Sequence, residues 1–220
     1  MAEFGVIGLG RFGARTSKEL LDLGHRVIGV DSNEKAVEAM ADVLTHSAIA
    51  DVTDEKALEE LDLTNCEVVL VAIGEDLQAS LLCVLHLKTI GVEEIWAKAT
   101  SKSHHQILSK LGVKRIIHPE EEMGIRVAQS LNYPMVNEYM SLGHNWFCVE
   151  ISIGEYLKGK TLNDIMPDDS EFFHVLLIKR RDEVTVSPSL SMTLEGNETL
   201  VMAGSLKALK SVAPKLKESS

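Results

Sequence analysis

From residue 4 to about residue 132, short apolar runs alternate with longer stretches whose apolar residues recur at helical spacing. The short runs, residues 4–8, 26–30, 47–50, 68–73, 95–99 and 115–118, are too brief for helices, and several are rich in Val and Ile, so they predict strands. Helices are predicted over residues 12–23, 34–41, 55–61, 77–90, 105–111 and 120–131. Strands that alternate with helices in this way predict an α/β fold, a Rossmann-like doubly wound parallel sheet covered by helices on both faces. Punctuation agrees with it. Gly24, Gly91 and Gly112 follow helices where a left-handed cap is favoured, and Thr53 stands as an N-cap before Asp54-Glu55.

The alternation stops at residues 133–144, where Tyr133-Pro134 and Gly143 read as a linker. Residues 145–220 have a different character: strand 146–153, short helix 162–165, strands 173–179 and 184–187 flanking the turn-like Arg181-Asp182-Glu183, strand 199–203 and helix 205–216. The expected organisation is therefore a Rossmann-like domain over 1–132, a linker over 133–144 and a small α+β C-terminal subdomain over 145–220. A module of roughly 70 residues often needs self-association for stability.

Composition narrows the function classes. Over 220 residues, 45% hydrophobic and 25% charged is ordinary for a globular chain. The longest apolar run, Val68-Val69-Leu70-Val71-Ala72-Ile73, is far short of a bilayer span, so a membrane role is expected to come through a partner. A formal charge of −11, with no basic run longer than Lys179-Arg180-Arg181, argues against nucleic acid as a partner. Cys66, Cys83 and Cys148 lack paired spacing and read as buried thiols of a reducing compartment.

The chemistry concentrates at the first strand-to-helix turn. Gly8-Leu9-Gly10-Arg11-Phe12-Gly13 gives G-x-G-x-x-G directly after the first predicted strand. In that context Gly8 permits a tight turn, Gly10 lets backbone approach a diphosphate, and Gly13 allows close packing of helix on strand, with the helix N-terminus facing the phosphates. Asp31, followed by Ser32, closes the second strand at the distance where an acid meets ribose hydroxyls. Other strand ends line the same crevice: Asp51-Val52 near the base, Ala72-Ile73-Gly74-Glu75 near ribose and phosphate, and Lys98 after the fifth strand. Asp51 reads equally as turn chemistry, and Lys98 as a snorkelling lysine. A guanidinium at Arg11 can reach beyond a diphosphate to a terminal phosphate; an ordinary solvated arginine is the alternative.

Catalytic machinery is not visible. There is no nucleophile elbow, H-E-x-x-H or Walker lysine, the tail offers only His174, and His104-His105 at a helix start read as cap or interface residues. The chain is therefore read as a binding protein and not an enzyme, with a small NAD-dependent oxidoreductase as the alternative of another class.

In order along the chain, residues 4–13, Val30-Asp31, Ala72-Ile73-Gly74, Ile95-Trp96-Ala97-Lys98-Ala99 and Ile116-Ile117-His118-Pro119-Glu120 closely resemble the RCK family, regulators of K+ conductance, and within it the cytosolic subunits of Ktr-type potassium uptake systems. The resemblance implies an octameric ring of dimers docked on the cytosolic face of a membrane-embedded K+-translocating subunit. It implies ATP as the activating and ADP as the inactivating ligand, with NAD(H) bound in the wider family, where an NAD(H)-sensing Trk-type subunit is the alternative. Carried over by position, Arg11 matches the arginine on the ATP γ-phosphate, Asp31 the ribose acid, and Glu120 an acid associated with a divalent cation, Mg2+ or Ca2+, near the phosphates. Met123, Val127 and Leu131 with Gly124 and Ala128 give one apolar, close-packing helix face, in the family a crossover helix and equally a plain core helix. The acidic stretch Ile165-Met166-Pro167-Asp168-Asp169 speaks against the cyclic dinucleotide that some relatives bind between C-terminal subdomains.

Overall fold

A computed structural model describes residues 1–132, 136–166 and 173–216. The chain divides into two compact units, Met1–Glu120 and Glu121–Ser220.

Six strands of the first unit, β1 (Glu3–Ile7), β2 (Arg26–Asp31), β3 (His46–Ile49), β4 (Val68–Val71), β5 (Ile95–Lys98) and β6 (Arg115–Ile117), form one parallel sheet. Its order is β3-β2-β1-β4-β5-β6, so the direction of strand succession reverses between β1 and β4 and opens a crevice at their C-terminal ends. The connections are α1 (Arg11–Asp22), α2 (Glu34–Glu38), α3 (Glu55–Glu59), α4 (Leu77–Thr89) and α5 (Lys102–Lys110). Helices on both faces give two apolar layers, one around Ile7, Val69, Val71, Cys83 and Leu87, the other around Val6, Leu9, Val27, Met40 and Leu70. The expected doubly wound sheet is what the chain forms.

Local signals behave largely as expected. Gly24, Gly91 and Gly112 have φ of +84°, +95° and +74°, the left-handed region that ends helices at glycine. Thr53 is a correction: the N-cap of α3 is Asp54, whose side chain accepts from Lys56 N–H, because Thr53 is held in the preceding turn by Asp51. α2 ends at Glu38 and not at residue 41.

Helix α6 (Pro119–Asn132) leads into the second unit, where β7 (Val136–Gly143), β8 (Trp146–Ser152), β9 (Phe173–Arg180), β10 (Glu183–Val186) and β11 (Thr199–Ser205) form an antiparallel sheet ordered β10-β9-β11-β8-β7. Residues 136–143, expected as linker, are strand: β7 pairs with β8 through a turn at His144 and Asn145, both at positive φ. The apolar face of the sheet, with Val149, Ile151, Ile178, Leu200 and Met202, packs on α7 (Leu162–Ile165) and α8 (Leu206–Val212). The helix expected over 205–216 is α8 followed by a tighter turn, Ala213–Leu216, beginning next to Pro214. Pro167, Asp168 and Asp169 of the acidic stretch lie outside the described residues. Among the described residues no helix is long and apolar enough to cross a membrane.

Candidate nucleotide site

The first turn is built around glycine. Gly8 has φ +94°, and a Cβ there would lie 3.1 Å from the carbonyl carbon of Ala72. A Cβ at Gly13 would lie 1.9 Å from the Gly8 carbonyl oxygen, so helix α1 rests directly on the turn. Around Gly10 there is nothing within 4 Å of the corresponding position, and this is where a ligand can meet backbone. α1 begins at Gly10 without a side-chain cap or an acidic residue in its first turn, whereas α2, α3, α4, α5 and α8 are capped by side chains. Its N–H groups and positive end thus face the opening uncompensated, the arrangement that favours an anion.

Asp31 stands half-buried at the end of β2. One carboxylate oxygen accepts from Leu9 N–H at 2.6 Å, the other from Asn33 N–H at 2.8 Å. The residue therefore fixes the glycine turn as well as offering its remaining lone pairs to hydroxyls. That first task was not legible from spacing alone.

Lys98, at the end of β5, is only 9% exposed. Its ammonium lies 2.6 Å from a Glu120 carboxylate oxygen, 6.0 Å from the Phe12 ring centre, and 3.2 Å from where a Gly74 Cβ would stand. The hydrogen bond from Lys98, with the charges of Lys98 and Arg11, holds the Glu120 carboxyl below its ordinary range. Arg11 is exposed and forms no ion pair among the described residues. Gly8, Gly10, Arg11, Phe12, Gly13, Asp31, Gly74, Lys98 and Glu120 are thus brought together, with Ala72 and Ile73 forming the wall against Gly8.

Ser32 and Glu75 are exposed and stand outside this set of contacts. Asp51 accepts from both the N–H and the hydroxyl of Thr53, which holds its carboxyl below the ordinary value, so its turn role is realised. Val52 packs its side chain into the core.

Three histidines gather beside the site. His104 is 1% exposed, its pKa pushed down by burial and then by His118. Nδ1 of His105 lies 2.8 Å from Nε2 of His118, with the rings near parallel at 19°. Sequence reading treated His104-His105 as a pair; the partnership of His105 with His118 arises from adjacent βα turns.

Among the described residues no group of three or more His, Cys, Asp or Glu is arranged to hold a metal. Glu120 alone suits a cation that draws its other ligands from phosphate oxygens and water, as Mg2+ does.

Residues 4–119 match the TrkA-N domain family. The Ktr system potassium uptake protein A of Bacillus subtilis (strain 168) is 40% identical over 208 residues, covering 94% of each chain. This chain belongs to that family. The crystal structure of the GsuK RCK domain superposes over all of this chain and 48% of that one with a TM-score of 0.65 at 15% identity. The GsuK channel bound to NAD does so over 100% of this chain and 40% of that one, with a TM-score of 0.62 at 15% identity. The RCK resemblance read from the five motifs is therefore correct, and the fold of the TrkA-N domain carries the glycine turn at its crevice.

Proposed function

We propose that this TrkA-N chain is the cytosolic, nucleotide-sensing regulatory subunit of a potassium-uptake system, acting by conformational change and not by catalysis. ATP at the glycine turn favours the active arrangement and ADP the inactive one. The observation that carries the reading is the uncompensated N-terminus of α1 with Arg11, Lys98 and Asp31 grouped around it. Such a group suits a ribose with a chain of phosphates, and Arg11 stands at its outer end, where a third phosphate distinguishes the two ligands. The 40% identity to a Ktr potassium uptake protein over nearly the whole chain supports the membrane-embedded K+-translocating subunit as partner and a peripheral position on the cytosolic face.

A ligand shifts a conformational equilibrium only through its different affinity for the two states. A charge-assisted hydrogen bond contributes roughly 1.5 to 3 kcal/mol, so several sites acting together exceed the roughly 5.5 kcal/mol that moves a population from 1:99 to 99:1. That arithmetic calls for an oligomer, and the octameric ring of dimers supplies it. Helix α6 supports assembly with further copies: it has no buried residue, and Met123, Val127 and Leu131 line a groove of about 380 Å3 against β7. Glu120, with ligand phosphates, would hold a divalent cation, which neutralises phosphate charge when bound.

NAD(H) is the second reading, favoured by Asp31, which suits any adenosine ribose, and by the NAD-bound GsuK channel of like fold. Calorimetry with ATP, ADP, NADH and NAD+ separates the two. ATP and ADP are expected to bind more tightly than either dinucleotide, with Arg11→Ala narrowing the preference for ATP over ADP by about tenfold. Tighter NADH binding, or an Arg11→Ala protein with the ATP preference intact, overturns this order of ligands.

A further inference from the structure

Lys98 and Glu120 are unequal partners. The lysine side chain is 11% exposed and the glutamate 70%, with 2.6 Å between ammonium and carboxylate. An ammonium withdrawn from water needs a counter-charge, whereas a carboxylate at the surface returns to solvent at little cost. The carboxylate is therefore the exchangeable member of the pair. Its place is also informative. The Lys98 ammonium faces Gly74 and the Phe12 ring, Phe12 belongs to the first turn of α1, and Arg11 beside it acts on Glu120 as well. The cations grouped for phosphate thus meet a carboxylate supplied by the chain itself.

We infer that the Glu120 carboxylate is a built-in competitor of the ligand phosphate for Lys98, so that nucleotide binding at this site is an exchange of anions on one ammonium group. The inference rests on the proposed nucleotide reading and names a regulation of that site. It has a consequence for selectivity. A terminal phosphate carries more charge than a carboxylate and displaces it, while each phosphate bridging a dinucleotide carries a single charge and displaces it less readily. The exchange thus discriminates in favour of mononucleotides with a free phosphate end, and it ties departure of Glu120 from β5 to arrival of ligand.

The test uses full-length protein, calorimetry in buffer containing EDTA, and the ratio of ADP affinity to adenosine affinity. Glu120→Gln keeps the size of an exposed side chain and removes its charge. The ratio is expected to rise about tenfold, equivalent to about 1.4 kcal/mol. Lys98→Met is expected to lower the ratio below that of wild type, and adding Glu120→Gln to Lys98→Met is expected to change it no further. An unmoved ratio in Glu120→Gln overturns the exchange. A rise of equal size in the Lys98→Met background also overturns it, because the effect is then only the loss of a distant negative charge. Wild-type protein that binds no adenine compound defeats the nucleotide reading itself, and the exchange with it, whereas either of the other two results in protein that binds ADP defeats the exchange alone.

Discussion

Gly13 and Gly10 stand three residues apart in the same turn, and alanine at each is expected to fail in a different way. At Gly13 the new methyl carbon would lie 1.9 Å from the Gly8 carbonyl oxygen, a contact that real Cβ atoms do not make below 3.0 Å. Helix α1 must retreat from the turn by at least about 1 Å, and because the obstacle is backbone, no side chain can rotate aside. Overpacking of this kind costs typically about 1 to 3 kcal/mol, with the upper half of that range expected here. For a chain of this size each kcal/mol is worth about 2 to 4 °C, so the unfolding temperature should fall by about 4 to 12 °C. At Gly10 the φ of −64° and ψ of −173° suit alanine, and the space around it is open. Stability should change by less than about 0.5 kcal/mol, as for an ordinary surface substitution. The added methyl nevertheless stands where backbone would meet a diphosphate, so nucleotide affinity should fall by about tenfold or more. Differential scanning calorimetry read beside nucleotide titration separates the two effects. A Gly13→Ala protein that melts with wild type, or a Gly10→Ala protein that binds nucleotide normally, refutes the geometry assigned to this turn.

Other expectations follow from groups away from the turn. Asp164 accepts from the Thr161 N–H and hydroxyl at the start of α7, which holds its carboxyl below the ordinary 3.8. Because the folded value is the depressed one, this stabilisation is complete above pH 3.8 and is lost as pH falls through the lower folded value; a wild-type acid-unfolding curve that Asp164→Asn leaves unchanged contradicts it. Cys83 is buried as expected, whereas Cys66 and Cys148 are only partly buried; withdrawal from water still raises all three thiols, Cys66 to about 11, so an aromatic disulfide reagent at pH 8 should react slowly with native protein and with three thiols after denaturation. Prompt reaction of the native chain would count against that burial. Val127→Glu, on the face of α6 that lines the groove, should lower the mass measured by light scattering while leaving the first unit's melting intact. Retention of the wild-type mass contradicts the assignment of that face to self-association.

The first unit was legible because its central strands are covered on both faces and so read as unbroken apolar runs, as Val68–Val71 does. The glycine turn was legible because its function needs residues close in sequence. Where contacts join distant residues, the signal disappears. Neither the bond from Leu9 to Asp31 nor the pair Lys98 and Glu120, each 22 residues apart, can be read from spacing, although Asp31, Lys98 and Glu120 were each singled out. β7 was missed for the same reason: Pro134 and Gly143 are local turn signals, and the strand is specified by its pairing with β8 across the sheet. Thr53 was misread by one position because three of four adjacent residues, Asp51, Thr53 and Asp54, have the side chains of caps, and only the folded turn decides which oxygen meets which N–H.

The residues of the crevice come from five separate segments spread between Gly8 and Glu120, and no short piece of the chain owns the site. A molecule seated there would act as a rivet through five of the six strands of the parallel sheet, since releasing any one of those five loosens the ligand too. At a hundredfold excess over its dissociation constant, such a ligand adds roughly 2.7 kcal/mol against global unfolding. The melting profile of the entire first unit therefore doubles as a gauge of occupancy at one small opening.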